Sequence, residues 1–98
     1  MVRRFVFQPQ SELDIQAAAL WYEDQRSGLG GRFLDELALV FRQIENNPRQ
    51  FPVIQGDVRR ALLHQFPYGV YFLFEAETVA ILAVLHSHRH PDVWKRRT

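Results

Sequence analysis

The segment Ile81–Arg97, ILAVLHSHRHPDVWKRR, sets three histidines at alternate positions straight after an apolar run. His86, His88 and His90 are joined there by Arg89, with Trp94 and the cations Lys95–Arg97 behind them. Imidazole exchanges protons near neutral pH and is also the commonest metal ligand. An H-x-H pair on a strand turns both rings to one face and can chelate a divalent cation. Here Arg89 puts a fixed positive charge beside any such ion, Pro91 interrupts the strand, and no second ligand pair occurs. Neither a metal nor another cofactor is expected. The competing chemistry is recognition of an anion or of stacked rings. Arg59, Arg60 and Arg89 supply cations, while Tyr68, His86 and Trp94 supply stacking or proton-transfer groups. Basic residues interleaved with aromatics hold single-stranded nucleic acid in this way. His88 and His90 read as polar residues at a strand end, and Lys95–Arg97 by themselves as a solvated tail.

The elements that must carry these groups follow from periodicity. Val2–Phe7 is a short β-branched and aromatic strand that Pro9 ends, and Ser11 opens a capping-box-like SELD. Leu13, Ala17, Leu20 and Trp21 then fall on one helical stripe, SGLGG turns the chain, and Phe33, Leu37, Val40, Phe41 and Ile44 form a second stripe closed by NNP. So short a connection predicts an antiparallel helical hairpin. After a loop over 48–57, strands are expected over 58–66, 70–75 and 78–85. The order β–α–α–β–β–β makes one α+β domain spanning 1–98: an N-terminal strand, a two-helix hairpin and a three-stranded antiparallel meander.

Strict alternation puts Val79, Ile81, Ala83 and Leu85 on one face of the last strand and Ala80, Leu82 and Val84 on the other, with His86 continuing the second set. Tyr71 and Leu73 likewise oppose Val70, Phe72 and Phe74. Both faces are apolar, and one hairpin covers only one of them. Two covers are open for the other: the chain's own loops or C-terminal segment, or a second polypeptide.

Composition narrows the setting. Without cysteine there are no disulfides or thiolate sites, which favours a reducing compartment. MVRRFVFQPQ lacks the apolar stretch of a secretory signal, and no apolar run approaches the ~20 residues that span a bilayer, so a cytoplasmic, membrane-free protein is expected. Net charge is only +1, which argues against a general nucleic-acid binder. The charge is unevenly placed: Ser11–Asn47 holds seven acids and three bases, whereas eleven of the twelve basic residues overall are arginine. Arginine forks onto carboxylate or phosphate. Two contact surfaces of opposite character are implied.

SELDIQAAALWYED, the P…FP loop, RR…FPYGVYF and VAILAVLHSHRHPDVWKRR together resemble the RelE/ParE superfamily, toxin halves of bacterial type II toxin–antitoxin modules often labelled plasmid-stabilisation proteins. The similarity runs over nearly the whole chain, with FPYGVYF and VLHSHRHPDVW its most specific parts. It implies neutralisation by a cognate antitoxin whose C-terminal segment folds on the toxin, along exposed helix faces and at Leu62, Tyr71 and Leu73. It also implies one of two activities. RelE-like members cleave mRNA on the ribosome; ParE-like members bind and poison DNA gyrase without catalysis. The RelE-like pattern has an arginine directly after the tyrosine that opens the second meander strand, where this chain has Gly69, and its terminal catalytic tyrosine is missing, with Trp94 nearby. The resemblance thus points to a ParE-like gyrase inhibitor using Arg59, Arg60, Tyr68, His86, Arg89 and Trp94 as its target surface. The alternatives are an endoribonuclease built on His86, Arg60 and Arg89, or an inactive member that only binds antitoxin.

Overall fold

The computed structural model describes residues 3–89 and 92–97. Strand β1 (Arg4–Phe7) leads into helix α1 (Pro9–Gln25) and helix α2 (Leu29–Asn46). A 3-10 turn (Pro48–Gln50) precedes β2 (Val53–Gln55), β3 (Val58–Leu62), β4 (Tyr68–Glu75) and β5 (Thr78–His86), and a second 3-10 turn (Val93–Arg97) follows. The five strands form one sheet in the order β1-β5-β4-β3-β2. β1 runs parallel to β5 and the other pairs are antiparallel. The α+β architecture is as expected, with one strand more: Val53–Gln55, read as loop, pairs with β3 and extends the meander to four strands. No helix among the described residues is long and apolar enough to cross a membrane.

Pro9 ends the strand but also begins the helix, where its missing N–H costs nothing. Gln8, in extended conformation, is the N-cap, so α1 starts before Ser11. Ser11 is therefore not a cap: it is buried in the first turn and its hydroxyl donates to the Gln8 carbonyl at 2.7 Å. This early start also fixes which face of α1 meets the sheet. Ser11, Ala18 and Tyr22 are buried, whereas Leu13, Leu20 and Trp21 are 56%, 60% and 45% exposed. The stripe expected in the core faces outward. Alanines made both faces of the sequence look apolar, and the aromatic Tyr22 decides which one is buried.

α2 follows its pattern, with Phe33, Leu37, Val40 and Ile44 buried and Phe41 packed beside them. The hairpin closes tightly because the Glu23 carboxylate accepts the N–H groups of Gly28 and Gly30 at 2.9 and 3.0 Å, satisfying donors that a helix start leaves open. Gly28 takes the left-handed φ of 89° that the turn requires.

The β4–β5 ladder contains the feature that sequence alternation misses. Tyr71 pairs with Ala83 but Phe72 pairs with Ile81, so β5 carries an extra residue opposite one step of β4. This β-bulge reverses the alternation beyond it. Val79, Ile81 and Val84 pack toward the helices with Val70 and Phe72, whereas Leu82, Ala83 and Leu85 lie on the outer face with Val58 and Tyr71. The grouping of Ile81 with Ala83 and Leu85 is thereby corrected.

The outer face is not left for a second chain to cover in full. Trp94, from the C-terminal 3-10 turn, stacks on Tyr71 with ring centroids 5.5 Å apart and planes 15° apart, and Val93, Ile54 and Leu73 flank the cluster. The chain's own end thus closes the centre of that face. Leu62, beyond the turn's reach, stays 49% exposed.

Candidate functional site

Tyr68 opens β4 directly opposite His86, the last residue of β5. Paired residues share a face, and this one looks toward the helices. The Tyr68 ring packs against Phe33 and Tyr22, with centroids 5.2 and 5.9 Å apart, and meets the His86 ring at 5.4 Å. The loop before it is fixed by Glu36 of α2, whose carboxylate accepts the backbone N–H groups of His64 and Gln65. From α1, Trp21 packs edge-on against Tyr22, and the Arg89 guanidinium sits 5.5 Å over the Trp21 ring. A cleft of about 220 Å³ lies between these groups, with Asp14 on its wall.

The polar geometry assigns roles. Nδ1 of His86 accepts the backbone N–H groups of His88 and Arg89 at 3.1 and 3.2 Å. The neutral ring therefore carries its proton on Nε2. Burial pushes the Tyr68 phenol above its ordinary range; the Arg89 cation opposes this and Asp14 adds to it. Tyr22 is raised too, first by burial and then by Tyr68, against Arg89. Both phenols therefore remain protonated at neutral pH, able to donate a hydrogen bond and unsuited to act as bases.

Asp14 has two further partners. Its carboxylate accepts the Val84 backbone N–H at 3.1 Å and is gripped by the Arg97 guanidinium at 2.5 and 3.3 Å. Arg97 is thus no solvated tail residue; this ion pair is largely buried on both sides. Lys95 lies nearer solvent, paired with Asp92 at 2.9 Å.

The expected target residues separate into distinct places. Tyr68, His86 and Arg89 meet at the cleft, where Trp21 and Asp14 join them and Tyr22 packs behind Trp21 and Tyr68. Arg60 pairs with Tyr71 and so projects from the outer face, the face on which Trp94 packs. Arg59 pairs with Phe72 on the helix side, and its guanidinium donates to the carbonyls of Phe51 at 2.7 Å and Arg49 at 3.4 Å. It is a loop tie. Arg60 lays its stem over Gly69: a Cβ there would sit 3.3 Å from Arg60 Cγ and from Leu62 Cδ2. Its Nε is buried with no hydrogen-bond partner among the described residues. Of the expected antitoxin contacts, Leu62 is exposed, Leu73 is half-buried and Tyr71 lies under Trp94. His88 is exposed, and His90 lies outside the described residues. Among the described residues no group of three acidic or histidine side chains could cage a metal ion.

No sequence-family model matches this chain, and no curated protein does. Its backbone is similar to a chain of the chromosomal ParDE TA system from P. aeruginosa, with a TM-score of 0.76 and 13% identity, over 87% of this chain and 96% of that one. The fold is that of the RelE/ParE toxins. It is also similar to a chain of the toxin–antitoxin complex RelBE2 from Mycobacterium tuberculosis, with a TM-score of 0.60 and 16% identity, over 88% of this chain and 99% of that one. The cleft occupies the end of the β4–β5 pair, and the Gly69 position is roofed by Arg60.

Proposed function

We propose that this chain is the toxin of a two-protein toxin–antitoxin module and acts ParE-like, by binding DNA gyrase, with an antitoxin polypeptide to neutralise it. One observation carries the reading: His86 and Arg60 project from opposite faces of the sheet. Cleaving RNA by its own 2′-hydroxyl requires base, acid and phosphate-binding cations to converge on one phosphorus. With Arg60 on the far face and Arg59 tied to loop carbonyls, the set His86, Arg60 and Arg89 does not converge. What remains at the cleft is Trp21, Tyr68, His86 and Arg89, and tryptophan, tyrosine and arginine are the residues that dominate protein–protein hot spots. An antitoxin reading draws support from the toxin–antitoxin assemblies among the similar structures, from the outward stripe Leu13, Leu20 and Trp21, and from exposed Leu62.

Purified protein assayed on gyrase supercoiling and on ribosome-bound message separates the activities. Supercoiling should be inhibited with the message intact, and Arg89→Ala should relieve inhibition more than it weakens antitoxin binding. One observation favours a second, RelE-like reading: the Tyr68 donor, the His86 ring and the Arg89 cation share one cleft. Message cleavage lost in His86→Ala would establish that reading in place of the first.

A further inference from the structure

β5 has an edge that its neighbour leaves open. β1 pairs with it from Arg4↔Thr78 to Phe7↔Ile81, and the Gln8 N–H adds one bond to the Ile81 carbonyl at 3.1 Å. Past Ile81 β1 has turned away into α1, yet β5 runs on to His86. Among the described residues the backbone groups of Leu82 and Val84 are therefore without a strand partner on that side, and buried backbone groups require a partner of some kind.

Two side chains supply it. Asp14 accepts the Val84 N–H, and Arg97 donates from Nη1 to the Leu82 carbonyl at 3.3 Å while forking onto Asp14. Together they offer the edge one acceptor and one donor, as a strand would, and charge assistance strengthens each bond. They act on the bulge itself, the step between Ile81 and Ala83 at which side-chain parity reverses.

We infer that Asp14 and Arg97 are positioning residues that substitute for a missing strand, lock the bulge, and thereby aim His86 into the cleft with Tyr68 and Arg89. Slippage of the ladder by one residue would turn His86 to the outer face and bring Leu85 toward the helices. The pairing has a second consequence inside the cleft. Asp14 and Arg89 both line it, Arg97 takes up the Asp14 charge, and Arg89 lies over Trp21. The effect on growth arrest rests on the proposed binding role of the cleft; the effect on His86 does not.

The test uses the full chain with Asp14→Ala, Asp14→Asn, Arg97→Ala and Arg97→Lys, and Glu12→Gln as a control on the same helix. Three readouts are taken: exchange of the Val84 amide, the ring-nitrogen NMR signature of His86, and growth arrest. In Asp14→Ala the Val84 amide should exchange at least about tenfold faster, since local opening then exposes it. His86 should lose its Nδ1-accepting signature, and growth arrest should fall. Asp14→Asn, which can still accept from Val84, should keep that amide protected. Arg97→Lys should recover most of the His86 signature that Arg97→Ala loses. If Asp14→Ala does not fold, the asparagine and lysine variants decide. An unchanged His86 signature once the Asp14–Arg97 pair is broken overturns the inference, as does unchanged Val84 exchange in Asp14→Ala. If both spectroscopic readouts move while growth arrest persists, the positioning role stands and it is the binding role of the cleft that falls.

Discussion

Trp94 lies nearly parallel to Tyr71 across the outer face of the sheet, 5.5 Å from ring centre to ring centre. The contact joins the end of the chain to the middle of β4 and leaves the indole only 5% exposed. Trp94→Ala should therefore cost about 3 kcal/mol, the low end for truncating a buried aromatic, because a terminal turn can partly collapse into the gap. Urea unfolding measures this. The variant should also bind more of a hydrophobic dye than the parent does, since Tyr71 and Leu82 become accessible. A loss below about 1 kcal/mol would mean that the turn is barely held on the sheet.

Two adjacent glycines should respond in opposite ways to the same substitution. A methyl group at Gly30 would stand 2.5 Å from the Ala19 carbonyl oxygen and 3.1 Å from the Glu23 side chain, where α1 and α2 touch. Gly30→Ala should destabilise by about 2 kcal/mol, through overpacking and disturbance of the Glu23 cap. At Gly31 nothing lies within 4 Å of a new Cβ. Gly31→Ala should then stabilise by up to about 1 kcal/mol, the ordinary gain in helix propensity. Thermal melts of the two variants should move apart, and a shared direction would contradict the hairpin geometry.

The features that were legible in the sequence share a cause, and so do those that were not. α2 was readable because its apolar residues repeat on one face only, and β4 and β5 because long apolar runs with few breakers have little alternative. α1 misled because leucines, tryptophan and alanines surround it, and only contact with the sheet selects the Tyr22 face. The bulge at Leu82 has no signature in ILAVL, since every residue there suits either face of a two-sided core. At the cleft, Tyr68, His86 and Arg89 stood out by residue type and position. Asp14 and Arg97 did not, because one is an acid among several on a helix and the other ends a basic run. Their significance comes from a separation of 83 positions closed by the fold. Arg59 and Arg60 looked like a pair because they are consecutive, which on a strand is the reason that they part.

That parting gives a functional contrast between two arginines. Arg59 spends its guanidinium on the Phe51 and Arg49 carbonyls, so Arg59→Ala should lower stability by about 1–2 kcal/mol, as expected for bonds from a charged donor. Growth arrest by Arg59→Ala should weaken only as far as the folded fraction does. Arg89 stands at the exposed rim of the cleft, and Arg89→Ala should leave the melting curve within about 0.5 kcal/mol of the parent while growth arrest drops. Parallel urea melts and induced-growth curves provide the check. On the proposed toxin reading, a folded Arg59→Ala that no longer arrests growth would move Arg59 from loop tie to target contact.

The raised phenols predict the alkaline limit of the fold. An unperturbed tyrosine ionises at 10.0, and burial raises Tyr22 and Tyr68 above that in the folded chain. As pH climbs past 10 the unfolded chain loses protons that the native one still holds, so the native state binds more protons and stability falls with pH. Below 10 both states are protonated at these rings and their contribution is intact; it drains away as pH rises through the folded values. Tyr22→Phe and Tyr68→Phe should each flatten the alkaline decline in unfolding free energy while leaving its pH dependence near neutrality unchanged. Removing the opposing cation with Arg89→Ala should push the Tyr68 titration still higher, and tyrosinate absorbance followed against pH reads this directly. A Tyr68 that titrated at or below 10.0 would show its ring to be solvated, not packed between Phe33 and His86.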